Sequence, residues 1–295
     1  MGGACEKKGT TPDNNGTVSA IDRADSGKGS ATVADGPIDT SPLPGVKLKL
    51  EGDREKLFYK LIGTLSSPCG KAHSLRTSFT SDTSCRRAPF AIRYVQMMLE
   101  DDGPEDEVIK FYNSKYKPAA AAPPAKFDVS KAPHVGADDA PVRLVEFFDY
   151  GCPHCAAFKP MMEQILTEEQ GKVVTYFMMF PIESKHPDSR SAAQAVLAAN
   201  QQGKFKDMHD VLFAKSPAHN HEAVSGYAKD MNLDMGKFEK DYDSAGAQVT
   251  NDEKQAETAG VDSTPTIFFN DRKYDGPIAV KYIEAWIEEE LAVNR

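Results

Sequence analysis

Two cysteines separated by two residues, in Cys152-Pro153-His154-Cys155, stand where a nearly continuous apolar run, Val142 to Phe148, gives way to a helix expected to begin at Cys152. An apolar run without alternation suits a strand buried on both faces, and such a strand needs covering layers on either side. The chain is therefore committed to an α/β arrangement with a dithiol at a strand–helix junction. Backbone N–H groups and the positive end of the helix dipole stabilise a thiolate there, and His154 adds positive charge beside it. These effects favour the reduced form over the disulfide, which makes the disulfide a stronger oxidant. The implied chemistry is thiol–disulfide exchange through a mixed disulfide, with Cys152 as the exposed sulfur, attacking or attacked, and Cys155 resolving. A c-type haem attachment would need His directly after the second cysteine, where Ala156 stands. A structural zinc would need four ligands, and only two lie here. No metal is expected.

Strand and helix signals alternate beyond the motif. Val173 to Phe180 supplies the next strand, and residues 187–260 are mostly helical. Thr266 to Phe269, the Asn270-Asp271 turn and Lys273-Tyr274 predict a hairpin. Gly276-Pro277 opens a last helix carrying Ile283, Trp286, Ile287 and Leu291.

The front of the chain is different. Residues 1–46 contain 13 hydrophobic residues and no aromatic, too little apolar area to offset ordering, and are expected to form a disordered tether. Residues 47–116 predict a small three-helix domain, with stripes Leu57-Phe58-Leu61-Ile62-Leu65, Ala91-Tyr94-Val95-Met98-Leu99 and Val108-Ile109-Tyr112-Tyr116. Residues 117–126, rich in Pro and Ala, predict a linker to a domain over 127–295. With 295 residues, 35 basic against 44 acidic and a net charge of −9, nucleic acid is not an expected partner. No run approaches the roughly 18 apolar residues that span a bilayer.

Residues 127–295 resemble the thioredoxin superfamily, most closely its DsbA-like branch of extracytoplasmic oxidoreductases. The resemblance rests on Val145-Glu146-Phe147-Phe148-Asp149-Tyr150-Gly151 leading into the Cys-Pro-His-Cys motif, on Pro160 five residues past Cys155, and on Gly260-Val261-Asp262-Ser263-Thr264-Pro265-Thr266. It implies a thioredoxin fold in which residues 187–260 form the helical insertion. It implies that Pro265 is cis and that Thr264 offers its backbone to a substrate segment. Glu146 is then a buried acid that handles the proton of Cys155. Pro153 and His154 form the DsbA-type dipeptide, whereas Thr264 looks more like the isomerase or reductase choice. His186, His219 and His221 are read as structural or solvated.

In an oxidising compartment Cys69 and Cys85 are expected to form a structural disulfide, with a reactive pair as the alternative. Residues 60–116 also resemble, loosely, the thiol domain of CcmH-type cytochrome c maturation proteins, through Cys69, His73-Ser74-Leu75, Ala88-Pro89, Met98-Leu99 and Asp106-Glu107-Val108-Ile109; position 72, however, is Ala rather than the second Cys. Gly3-Ala4-Cys5 followed by a polar stretch resembles a bacterial lipoprotein junction, which would make Cys5 a lipid anchor to a membrane surface; an incidental cysteine is the alternative. The start as given shows neither the charged nor the apolar region of a signal peptide.

The expectation is thus an extracytoplasmic, periplasmic thiol–disulfide oxidoreductase. It would act as an oxidase on unfolded or partly folded secreted proteins, with a membrane redox partner recycling it and no cofactor beyond its own cysteine pair. The alternatives are a reductase or isomerase, including one for apocytochromes c, and a non-catalytic client-binding module.

Overall fold

In the computed structural model, residues 5–6, 37–116 and 125–293 are described. The central strand β3 (Val142–Phe148) hydrogen-bonds in parallel to β4 (Val173–Met179) and antiparallel to β6 (Thr266–Phe269). With β2 (His134–Val135) and β7 (Arg272–Lys273) at the edges, the order is β2-β4-β3-β6-β7. Val142 and Leu144 enter a core built with Phe158, Met162 and Ile165 of α5 (Pro153–Glu168) and with Ile283, Trp286 and Ile287 of α10 (Val280–Val293). Val145 and Phe147 enter a second core with Phe127, Val261 and Phe268 on the opposite face. Burial on both faces explains why β3 is apolar without a break, apart from half-buried Arg143 and buried Glu146. Asn270 and Asp271, at φ +43° and +70°, make the two-residue turn between β6 and β7 that the sequence predicts.

The helical insertion is α6 (Ser189–Asn200), α7 (Phe205–Ala214), α8 (His221–Asp230) and α9 (Met235–Thr258). Its apolar faces share one cluster with Phe148, Tyr150, Cys152 and Cys155, so both cysteines lie at the seam between sheet and insertion.

The front of the chain corrects three expectations. Residues 47–116 hold four helices, not three: α1 (Gly52–Thr64), α2 (Leu75–Thr80), α3 (Ala88–Glu100) and α4 (Glu105–Tyr116). The six-residue α2 is too short to show a stripe; it is started by the Ser74 hydroxyl accepting from the Thr77 amide and is anchored by buried Leu75. Secondly, the expected tether does not stay loose up to residue 46, because Leu43 is buried in the bundle core and Asp39 pairs with Arg76 at 2.8 Å. Residues 1–4 and 7–36 lie outside the described residues, as do 117–124 of the expected linker.

The third correction concerns the bundle's independence. Tyr282 of α10 lies in the bundle core, and Lys115 of α4 meets Glu289 of α10 at 2.9 Å with both side chains almost fully buried. Arg87 and the Tyr116 hydroxyl also donate to Glu289, at 2.6 and 2.8 Å. Burial pushes the Lys115 pKa down to about 8 even with Glu289 beside it. The bundle and the sheet domain are thereby joined through α10. Cys69 and Cys85 form a disulfide within the bundle, with Cα atoms 5.8 Å apart.

Candidate active site

Cys152 ends the loop after β3 and is the N-cap of α5; Pro153 follows at the helix start, where its missing N–H costs nothing. Cys155 lies one turn into the helix and is 1% exposed. Pro160 lies inside the same helix. His154 is half-buried and Pro153 exposed. Burial pushes the Cys155 thiol well above its ordinary pKa, and the Cys152 sulfur beside it adds to the shift. Cys152 instead caps the end of a helix whose free amides favour an anion. The two sulfurs are therefore chemically unequal.

The Thr264–Pro265 peptide bond is cis, and the Cys152 thiol donates to the Thr264 carbonyl at 3.5 Å. This brings the two distant segments of the expected site together. One feature departs from expectation: Cys152 is only 1% exposed, not open to solvent. The edge beside it, β5 (Ser263–Thr264), is paired antiparallel with β1 (Cys5–Glu6) of the chain's own N-terminal segment.

Glu146 lies on β3, 5% exposed, at a cavity of about 520 Å³ also lined by Lys159, Met162, Phe177, His209 and Phe213. Burial alone raises its pKa to about 8, so the carboxyl is mostly protonated at neutral pH. Unfolded, it would ionise near 4.5. Folding therefore takes up a proton between these values, and the Glu146 contribution to stability is present below pH 4.5 and lost as pH rises through about 8. At about 1.4 kcal/mol per pKa unit the loss approaches about 5 kcal/mol. Glu146→Gln is accordingly expected to gain stability relative to the unsubstituted protein steadily between pH 5 and 8. Asp252, raised by burial to about 7, titrates alike in both proteins and cancels from that difference. Urea unfolding of both at pH 5, 6, 7 and 8 checks this, and a constant difference across the series would refute it.

Asp149 was not singled out from the sequence, yet it organises the loop. Its side chain is buried; Oδ1 accepts from the Gly151 amide at 2.7 Å, and Oδ2 accepts from the Ile182 amide at 2.7 Å and lies 2.9 Å from His186 Nδ1. Its carbonyl accepts from the Cys152 amide at 3.1 Å. A Cβ on Gly151 would fall 2.5 Å from the His186 side chain, so glycine is required for this close approach. His186 is thus part of the site's frame. Tyr150 bonds through its hydroxyl to His209 Nδ1 at 2.9 Å, and burial drives the His209 pKa to about 3, keeping that ring neutral. His219, in the loop between α7 and α8, is structural: it is 1% exposed, and burial lowers its pKa. His221 is exposed and meets Glu239 at 2.8 Å. A polar residue directly after a buried strand and before a dithiol was the signal for Asp149; His209 gave none. No group of three or more His, Cys, Asp or Glu among the described residues is arranged to hold a metal.

A family model described as thioredoxin matches residues 128–289, more than half of the chain. The chain belongs to the thioredoxin family. Among solved structures of this thioredoxin-like kind, BdbD from Bacillus subtilis is similar at 28% identity, covering 56% of this chain and 95% of that one, with a TM-score of 0.51. A thioredoxin-like oxidoreductase from Silicibacter pomeroyi is similar at 27% identity, covering 55% and 94%, with a TM-score of 0.50. Among curated relatives, the Na(+)/H(+) antiporter NhaA 1 of Salinispora arenicola is 32% identical over 162 residues, 54% of this chain and 25% of that protein. This thioredoxin-family chain thus spans about a quarter of the length of the curated relatives it matches. No helix among the described residues is long and apolar enough to cross a membrane. The fold is thioredoxin-like and carries the helical insertion described above. The CcmH-type resemblance of residues 60–116 lies outside the family match, and the cysteines there are joined to each other.

Proposed function

We propose that this protein is an extracytoplasmic, DsbA-like oxidase that passes the Cys152–Cys155 disulfide to unfolded or partly folded secreted proteins. The observation that carries the reading is the inequality of the two sulfurs: Cys152 caps the α5 N-terminus, while burial pushes the Cys155 thiol well up. A client thiolate attacks Cys152 Sγ of the disulfide, and Cys155 leaves as a thiolate and takes a proton. Glu146, protonated at neutral pH beside the cavity, is the group we assign to that proton. A second client thiolate then attacks the client sulfur of the mixed disulfide, releasing Cys152 as a thiolate that the helix N-terminus stabilises. The client leaves oxidised by two electrons and the protein reduced, for a membrane redox partner to reoxidise. No cofactor beyond the cysteine pair enters this cycle.

Clients would lie along the Thr264 backbone as an added strand, in the place that β1 occupies, the geometry that a strand edge offers an extended peptide. Residue Thr264 also favours a second reading, a reductase or isomerase acting on misfolded proteins or apocytochromes c: it places a hydroxyl, fully buried, directly before the cis proline. Lipidation of Cys5, anchoring the protein to a membrane surface, is one use of that thiol.

The deciding experiment is equilibration of the full chain in glutathione buffers, with the redox state of the Cys152–Cys155 peptide read by alkylation and mass. A potential above about −180 mV is expected for an oxidase, and one near or below about −270 mV would overturn that reading for the reductase.

A further inference from the structure

The position expected of a client is taken, within this chain, by a segment that itself carries a cysteine. Strand β1 pairs antiparallel with β5 in the register Cys5↔Thr264 and Glu6↔Ser263. Opposed residues in such a pair have Cα atoms about 4.5–5.5 Å apart. Thr264 is the residue before the cis proline, and its carbonyl is the atom the Cys152 thiol touches at 3.5 Å. The backbone of Cys5 therefore stands one strand spacing from the residue in contact with Cys152 Sγ.

Two further observations bear on the same point. Cys152 and Thr264 are 1% and 0% exposed, so the groove is closed to an outside peptide in this arrangement. Cys69 and Cys85 are joined to each other, and the other cysteines of the sequence are Cys5, Cys152 and Cys155.

We infer that Cys5 is an internal exchange partner of the active site, forming a reversible intrachain disulfide with Cys152 that holds the N-terminal segment in the client groove. This rests on the thiol–disulfide exchange reading above. Starting from the Cys152–Cys155 disulfide, the Cys5 thiolate attacks Cys152 Sγ, the Cys152–Cys155 bond breaks, and Cys155 leaves as a thiolate and takes up the proton that Cys5 lost. One disulfide is exchanged for another, with no net oxidation and no outside reagent. A client thiolate that attacks the Cys5–Cys152 bond at Cys152 releases Cys5, and the segment must leave the Thr264 edge before the client can pair there. The arrangement makes the segment a competitor that holds the oxidising equivalent until a client displaces it.

The test uses the full chain carrying Cys155→Ala, which cannot resolve a disulfide at Cys152, treated with glutathione disulfide, acid-quenched and alkylated. Peptide mapping of the monomer should find more than half of the Cys152 peptide linked to the Cys5 peptide. Cys152 carrying glutathione while Cys5 is alkylated, a link found only in dimers, or an acyl group on Cys5 would each overturn the inference. In parallel, the Cys5→Ser chain with both active-site cysteines intact should transfer its disulfide to a reduced two-cysteine peptide at least threefold faster than the unsubstituted chain. Equal rates would overturn the competitor role. Loss of transfer in both chains would instead overturn the oxidase reading, with the mapping still deciding whether Cys5 links to Cys152.

Discussion

Cys152→Ala should reduce disulfide transfer to a reduced client peptide to the uncatalysed level, a drop of about 10³-fold or more, the scale on which removal of a reacting nucleophile acts. The substitution leaves Thr264, Pro265 and the β5 edge in place, so a cysteine-free peptide of the same sequence should bind as before. Cys155→Ala combined with Cys5→Ser should behave differently: offered a client that carries a disulfide, the Cys152 thiolate attacks it, one client thiolate leaves, and the mixed disulfide accumulates because no second thiol of the protein resolves it. The pair of variants separates enzyme from binding module. A Cys152→Ala protein that still lets client disulfides form or break at the original rate would remove Cys152 from the chemistry. Non-reducing electrophoresis and peptide mass are sufficient readouts.

Glu289→Ala is expected to cost about 3–5 kcal/mol, the range for removing one partner of a buried ion pair. Glu289 receives Lys115, Arg87 and the Tyr116 hydroxyl. Without it, Lys115 is left almost fully buried, with its ammonium 4.3 Å from the centre of the Trp286 ring and 4.9 Å from that of Tyr94. These contacts favour the cation but do not replace a carboxylate. The lysine pKa, already down to about 8, should fall further in the variant, since the charge that now raises it is gone. Between that lowered value and the ordinary 10.5 the unfolded chain binds more protons than the folded one, so stability rises with pH across that window. The penalty of the variant is therefore expected to be smaller at pH 9 than at pH 6. Urea midpoints at both pH values test this, and a loss below about 1 kcal/mol at pH 6 would mean the pair contributes no more than one on the surface.

Much of the redox half was legible from residues near one another in the chain. An unbroken apolar run announced a strand covered on both faces, and β3 is that strand. The Cys152-Pro153 junction announced a helix start because proline is favoured at the first turn, and the turn at Asn270-Asp271 followed from the positive φ that these residue types accept. The role of Thr264-Pro265 came from resemblance, since nothing in local propensity links that segment to a cysteine 112 residues away.

What the tertiary structure alone decided is which polar groups are buried, and by whom. In sequence, Glu288-Glu289-Glu290 looks like a solvated helix face; only the arrival of Lys115 and Arg87 from the front bundle makes Glu289 a buried group. Asp149 became the frame of the active-site loop through Ile182 and His186, and Cys152 proved covered instead of exposed. The physical reason is common to all three. Hydrophobic period and turn chemistry act over a few residues and are written in local order, whereas the desolvation of a charge or a thiol depends on what distant segments bring against it.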